Sequence, residues 1–525
     1  MECTCIRHTE LPHTSKLFAD YAYHFDRVRS FYRHAPHDLE EFRRAAAEIN
    51  LPDDRRQALV AALRTQNGDS ESLRLLAQPG TVAVVTGQQV GLFSGPAYTI
   101  YKALTAVRLA RDLTASGQPA VPVFWLATED HDLAEVNHCW AFNPAHQPLK
   151  LVAGDAVANG GPVGEVAPAG YPIDELRHHL REFPFGEEVV AMVEDAYRPG
   201  ATLGAAFGAL LKRLLPAYGL LHIDPMLPAV RELAAPMLRS VLADAPDLSA
   251  RLIARSKELV DAGYHAQVHL ENHTSLVFLL EDGRRIGLKR NGREYSAGGR
   301  RLSTEELMDR AAHLSPNALL RPVVQDSILP TVAYIGGAAE LAYLAQSQVI
   351  YDAKLGRMPV ALPRAGFTLL DQRSEKLMKR YGIALTDLFG GEEALRERIA
   401  AQLVPPSLAR VLEDAKSSTS AAGERLSEAL SGFDPTLAAA LASSRGKINY
   451  QFGKIERKVR REALLRDTHA GRDSSYIAGL IYPEKHLQER FYSIVPFLAR
   501  HGLDLVDRLY ENIQLDCPDH RLLTV

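Results

Sequence analysis

Cysteine is scarce in this sequence: Cys3, Cys5, Cys139 and Cys517 are the four in 525 residues. They are too few and too scattered for a disulfide framework, which fits a reducing cytosol and places the protein in the cytoplasm. Cys3 and Cys5 could clip a metal with His8, but the expectation is an unstructured, reduced N-terminus. Long apolar runs are missing. No window is apolar enough to span a bilayer, and the N-terminus lacks a signal-peptide core. An excess of one charge is also missing. The 60 Lys and Arg against 64 Asp and Glu leave a formal net charge of −4. Nothing global therefore favours nucleic acid or an anionic membrane as a partner. Neither a Walker loop nor a dinucleotide glycine fingerprint occurs.

What is present is the balance of a globular protein, 46% hydrophobic and 24% charged. The length predicts two or three domains. Residues 81–138 organise the chain. The apolar run 82–85 meets Thr86, Gly87, Gln88 and Gln89. Gly91, Ser94, Gly95 and Pro96 follow, and Pro96 suits the first position of a helix. Ile100, Leu104, Val107 and Ala110 share a face of that helix. A second apolar run, 121–127, meets Thr128, Glu129, Asp130, His131 and Asp132. In a parallel βαβ unit both strand ends lie on one rim, where open α/β sheets bind ligands.

Apolar spacing predicts helices over residues 15–79, covering one face of the sheet. Residues 140–200 are rich in Gly, Pro and Ala. A helix over 203–215, a buried strand over 219–224 and helices over 228–242 and 247–262 follow. Asp282-Gly283 and Asn291-Gly292 then mark hairpins in a small antiparallel meander, 265–302. A second βαβ unit spans 331–364, turning at Gly336 and Gly337. The fold class is α/β, a Rossmann-like doubly wound parallel sheet, with residues 1–372 as its core and an insertion at about 140–315. Residues 373–475 read as an antiparallel helical hairpin broken at Asp434-Pro435, and Ile448, Phe452, Ile455 and Val459 follow coiled-coil spacing. The basic run Lys454, Arg457, Lys458, Arg460 and Arg461 reads as a solvated helical face, or alternatively as a phosphate contact. Residues 476–525 pack back on the core.

Three clusters carry chemistry. Gln88 and Gln89 at a strand end are costly to bury unless bonded, which favours a ligand-facing role. The glycine-rich turn beside them is either a phosphate seat or only a tight turn. In the second cluster, Glu129, Asp130 and Asp132 surround His131. One carboxylate could hold an ammonium or sugar hydroxyl, with His131 as general acid or base. The plainer reading makes Asp132 a helix cap. A zinc site from His131, His138 and Cys139 matches no familiar spacing. The third cluster holds Arg321, Gln325, Asp326, Glu340, Tyr343, Gln346 and Arg364. Its arginines suit carboxylate or phosphate, or else form internal Arg321–Asp326 and Arg364–Glu340 salt bridges.

The segments VVTGQQVGLFSGPAYTIYKA, PVFWLATEDHDLAEVNH, GYHAQVHL, SPNALLRPVVQDSILPTVAYIGGAAELAYLAQ, PVALPRAGFTLLD and YPEKHLQER together resemble the BshC family, the cysteine-adding enzymes of bacillithiol biosynthesis. The resemblance implies a Rossmann-like core with inserted connecting segments and a coiled coil that makes a homodimer. It also implies a ligase that joins L-cysteine to the amine of glucosaminyl malate. A carboxylate does not condense with an amine unaided in water, so ATP, with Mg²⁺, is the expected activator. The family looks distantly like class I aminoacyl-tRNA synthetases. Their His-Ile-Gly-His signature is replaced here by Tyr98, Thr99, Ile100 and Tyr101, and no Lys-Met-Ser-Lys-Ser loop occurs, so either the nucleotide sits differently on the sheet edge or ATP is not used.

Within the expected site, roles are assigned by residue chemistry. Gly87, Gln88, Gln89, Ser94 and Gly95 hold an anionic group that Lys102 neutralises. Asp130, His131 and Asp132 are catalytic, with His131 the base. Arg321 and Arg364 hold the malate carboxylates, and Gly336 and Gly337 let a ligand approach. Tyr98, Glu129, Asn137, Gln325, Asp326, Glu340 and Gln346 complete the binding set, and no resident metal is expected. The alternatives are a non-catalytic metabolite-binding dimer and a metal-dependent hydrolase built on residues 129–132.

Overall fold

The computed structural model describes residues 3–155 and 160–525. The two apolar runs form neighbouring parallel strands, β1 (Val82–Gln89) and β2 (Ala120–Ala127). They pair from Val82 opposite Ala120 to Gln89 opposite Ala127. Val82, Ala83, Val84 and Val85 are all buried, as a strand covered on both faces requires. β3 (Leu221–Ile223) lies beyond β2, while β4 (Thr331–Gly336) and β5 (Val360–Pro363) lie beyond β1. The order β5-β4-β1-β2-β3 is Rossmann-like, and its switch point falls between β1 and β4. Helix α1 (Tyr98–Ala115) connects β1 to β2. Helix α2 (Arg321–Ile328) leads into β4, and α3 (Ala338–Lys354) connects β4 to β5.

Helix α1 starts two residues after Pro96. The intervening loop is strained, with φ of +49° at Phe93, +77° at Ser94 and +62° at Gly95, and the Ala97 amide donates to the Tyr492 carbonyl at 2.7 Å. The C-terminal segment thus occupies the approach to this helix start.

The helices of residues 15–79 cover both faces of the sheet, which corrects the expectation of one. Phe42 and Ala45 pack with Val82, Val84 and Leu109, whereas Leu59, Leu63 and Leu73 pack with Ala83, Val85 and Val123. Alternation along β1 sends successive side chains to opposite faces, so each face needs its own cover. Tyr21 and Phe31 are buried core residues.

Two stretches extend the sheet connections. Between β2 and β3 lie the short helix Leu133–Val136, the hairpin His138–Phe142 with Pro148–Val152, and three longer helices. Between β3 and β4 lie two long helices, Pro228–Ala243 and Ala245–Asp261, an antiparallel sheet of five strands, the short helix Thr304–Asp309 and α2. That sheet is wider than the meander expected at 265–302, because Arg300–Ser303 and Leu314–Pro316 also pair into it. Its first hairpin turns at Asp282 (φ +51°) and Gly283 (φ +69°), the left-handed conformations that an Asp-Gly turn supplies.

Helices α4 (Pro406–Phe433) and α5 (Pro435–Arg466) form the antiparallel pair, reversing at Asp434, whose carboxylate accepts the Thr436 amide at 2.8 Å. Lys454, Arg457, Lys458, Arg460 and Arg461 are exposed along α5. From Cys3 onward the N-terminal segment forms a strand rather than the expected unstructured segment. Cys3–Ile6 pairs with His520–Thr524, which pairs with Phe367–Leu370, so distant parts of the chain share one small sheet. Among the described residues no helix is long and apolar enough to cross a membrane.

Candidate functional site

The carboxyl ends of β1 and β4 open onto a cavity of about 420 Å³ at the switch point. At Gly87 β1 has no room for a side chain beside β2, since a Cβ there would stand 2.8 Å from the Trp125 carbonyl oxygen. The Gly87 carbonyl is reached by Lys102 of α1, buried at 2% exposure. Lys102 Nζ donates to the Gly87 carbonyl at 2.8 Å and to Gln88 Oε1 at 3.0 Å, and pairs with Glu340 Oε2 at 2.5 Å. Glu340, in the first turn of α3, also accepts the Gly337 amide at 2.8 Å and the Tyr334 hydroxyl at 2.7 Å. Burial opposes charge on both partners. Lys102 is pulled below the usual lysine range, while Lys102 and these hydrogen bonds hold Glu340 below the usual carboxylate range.

The network continues to α2. Arg321 donates to Tyr334 and Tyr343 hydroxyls at 3.1 Å each and to Gln325 Oε1 at 2.9 Å. A second buried ion pair joins Arg364, beyond β5, to Glu489 of the C-terminal segment through two bonds of 2.9 and 2.6 Å. Burial works against the Glu489 charge, but Arg364 overrides it and holds the carboxyl at about 2. Tyr98 lies among three cations, with Arg364, Arg490 and Lys102 at 5.1, 5.8 and 5.9 Å from its ring centre. Its hydroxyl accepts Gln88 Nε2 at 3.1 Å. Arg490 also borders two adjoining cavities of about 400 and 720 Å³.

The third wall is the end of β2 with the antiparallel sheet. Gln89 donates to Asp130 Oδ2 at 2.7 Å, and Arg285 approaches Asp130 Oδ1 at 3.4 Å while lying 4.0 Å over the Phe278 ring. Glu129 is 5% exposed and faces the cavity, and its Oε1 has no hydrogen-bond partner among the described residues. Burial pushes its carboxyl up, against the pull of Arg285, Ser315, Arg231 and Arg321.

The cavity therefore collects Gly87, Gln88, Gln89, Tyr98, Lys102, Glu129, Asp130, Arg321, Gly337, Glu340 and Arg364, while Gly336 borders the adjoining 400 Å³ space. Other expected site residues lie elsewhere. His131 stands outside the lining, its side chain 44% exposed, with Nδ1 3.0 Å from Arg285 Nη1. Asp132 caps the short helix Leu133–Val136 by accepting the Glu135 amide. Asn137 ends that helix beside His138. Ser94 is buried against Ser493, and Gly95 borders the 720 Å³ space instead. Gln325 bonds Asp326, which takes the Tyr351 hydroxyl at 2.5 Å inside the core. Gln346 clamps the backbone of Val268. Neither expected internal salt bridge forms, because Arg321 turns to tyrosines and Gln325, and Arg364 to Glu489. Among the described residues no three His, Cys, Asp or Glu side chains are grouped to hold a metal.

Residue reasoning missed Trp125, Phe278, Arg285, Asn317, Tyr334, Glu489 and Arg490. Arg285 sits in a strand read as part of a small inserted meander, and Glu489 and Arg490 lie more than 120 residues from the strand they reach. The one available signal was that SPNALLR and YPEKHLQER recur as family segments.

Two family models cover the chain. The N-terminal Rossmann-like domain of bacillithiol biosynthesis BshC matches residues 1–365, and the C-terminal coiled-coil domain of BshC matches residues 367–525. A relative from Solibacter usitatus is 58% identical over all of both chains. One from Koribacter versatilis is 37% identical over 99% of each, and one from Salinibacter ruber 32% identical over 97% of this chain and 96% of its own. All three carry the name "Putative cysteine ligase BshC". With both of the family's domains present in order, the chain belongs to the bacillithiol biosynthesis BshC family.

Proposed function

We propose that the protein is a cytoplasmic ligase that joins the carboxyl group of L-cysteine to the amine of glucosaminyl malate, giving bacillithiol, in the cavity between β1 and β4. The observation that carries this is the charge arrangement of the cavity. Lys102, Arg364 and Arg285 have acidic partners in Glu340, Glu489 and Asp130. Arg321 and Arg490 form no ion pair among the described residues, yet both line the cavity. Two guanidiniums without carboxylates suit an acceptor that brings two carboxylates of its own.

ATP, with Mg²⁺, is the co-substrate we assign to activating the carboxyl group. Its seat differs from the signature helix of class I synthetases. Ile100 and Tyr101 are fully buried in the core, so no bare backbone is offered to an adenine there. Arg490, exposed where three cavities meet, is the cation best placed for a phosphate or carboxylate. A second copy of this chain is the partner we assign to the helical pair, where Val411, Leu426, Ile455 and Leu465 expose apolar surface along α4 and α5.

Purified protein is incubated with L-cysteine and glucosaminyl malate, with and without ATP and Mg²⁺, and products are read by mass spectrometry. A product containing both substrates with water lost supports the ligase. Binding of the sugar malate with no cysteine incorporated under any condition replaces it with a non-catalytic binding role.

A further inference from the structure

We propose that Glu129 receives the amine of the acceptor substrate and takes up its proton, so that this residue rather than His131 readies the nitrogen for attack. The assignment rests on the ligase reading of the cavity, and it concerns the cationic end of the ligand rather than the anionic one.

The other carboxylates of the cavity are committed. Glu340 holds Lys102, the Gly337 amide and the Tyr334 hydroxyl. Asp130 holds Gln89, the His131 amide and Arg285. Glu489 lies behind Arg364 and also accepts the Phe367 amide. Glu129 alone among these keeps an oxygen with no donor, although it is buried and faces the open volume. A buried carboxyl oxygen without a donor is costly, and a ligand N–H group removes that cost. Backbone geometry fixes the choice. β2 ends at Ala127, Thr128 bonds Asp224 through its hydroxyl, and the next side chain turns into the cavity. His131, two residues further, has already left it.

The groups facing Glu129 tune it for this task. Arg285 and Ser315 come from the antiparallel sheet, Arg231 from the helix Pro228–Ala243 and Arg321 from α2. Burial, the largest effect, pushes the carboxyl's pKa up, while the three arginines and the Ser315 hydrogen bond draw it toward ionisation. A carboxylate raised toward neutrality accepts a proton more readily than an exposed one. The step is a proton transfer. One N–H bond of the ammonium breaks and an O–H bond forms on Glu129, and the opposite charges cancel. The nitrogen is left with the lone pair that attack on the cysteine acyl carbon requires.

The test compares wild type, Glu129→Gln and Glu129→Asp as full-length proteins with unchanged thermal midpoints. The rate constant kcat/KM for glucosaminyl malate is measured against pH. Calorimetry measures binding of glucosaminyl malate and of glucosyl malate, which carries hydroxyl in place of amine. Wild type should bind the amine compound more tightly by roughly 10-fold or more. Glu129→Gln should lose that preference, lose the acid limb of the pH profile and slow by at least about 100-fold. Glu129→Asp, which keeps the carboxylate, should retain the preference and part of the rate, showing that the Gln loss is not a folding defect. A Glu129→Gln protein that keeps both the amine preference and the acid limb overturns the proposal. If wild type never incorporates cysteine, the ligase reading falls on its own, and the binding preference alone decides the place of Glu129.

Discussion

Lys102 Nζ lies 2.5 Å from Glu340 Oε2, so the helix after β1 and the helix after β4 are tied together by one buried ion pair at the switch point. Removing one partner leaves the other charge buried without compensation. Lys102→Met or Glu340→Gln should each destabilise the fold by about 3–5 kcal/mol. The double change to Met and Leu should cost less than the sum of the two. Urea denaturation of the three variants measures this, and strictly additive losses would refute the coupling.

Glu489 makes a pH-dependent contribution whose sign is fixed. Its carboxyl lies at about 2 in the fold, against 4.5 for an unperturbed glutamate. A depressed carboxyl stabilises fully above its unfolded value, and that contribution is lost as pH falls from 4.5 toward 2. Glu489→Gln should be less stable at neutral pH because Arg364 is left buried. Its denaturation midpoint should then fall less steeply than wild type across that acid window. Parallel curves would show that the pair does not govern the response.

Arg490 and His131 should separate cleanly in kinetics. Arg490→Ala removes a cation without an acidic partner and should raise KM for glucosaminyl malate by about 10- to 100-fold, as loss of a charged hydrogen bond implies. His131→Ala should change turnover by no more than about threefold, since a base outside hydrogen-bond reach contributes little. Steady-state assays at one pH decide this, and a His131→Ala protein without turnover would return the histidine to the mechanism.

The outer faces of α4 and α5 should carry the dimer. Val411 and Ile455 are 63% and 48% exposed, so charges there leave the packing between the two helices intact. Val411→Glu with Ile455→Glu should convert a dimer to a folded monomer in sedimentation velocity, with the helical content by circular dichroism unchanged. A dimer that survives both charges locates the interface elsewhere.

The sheet was legible because its signals are local. The apolar run 82–85, the glycine-rich loop after Gln89 and the helical face of Ile100, Leu104 and Val107 lie within about 25 residues of one another. The rim end of β2 was legible as a polar cluster, but not which of its members turns inward. One residue of register separates Glu129 in the cavity from Asp130 at its edge, and Asp132 is drawn away by a capping bond that sequence presents only as an option. Glu340 announced itself in the first turn of a helix, yet its partner Lys102 lies on another crossover, and only the strand order brings them together. Arg364 was visible as a cation at a strand end. Its committed partner was not, because Glu489 belongs to a segment whose return to the core follows from tertiary packing and the small sheet that Phe367–Leu370 forms with His520–Thr524.

That return has a consequence for the timing of synthesis. Arg364 leaves the ribosome 125 residues before Glu489. At about 5–20 residues per second, its guanidinium waits roughly 6–25 s for the carboxylate that will hold it. Within that interval the long helical pair is made, and the cavity lacks Arg490 until its end. The nascent chain can complete its sheet early, but the lining of the cavity is complete only after the coiled-coil helices have emerged.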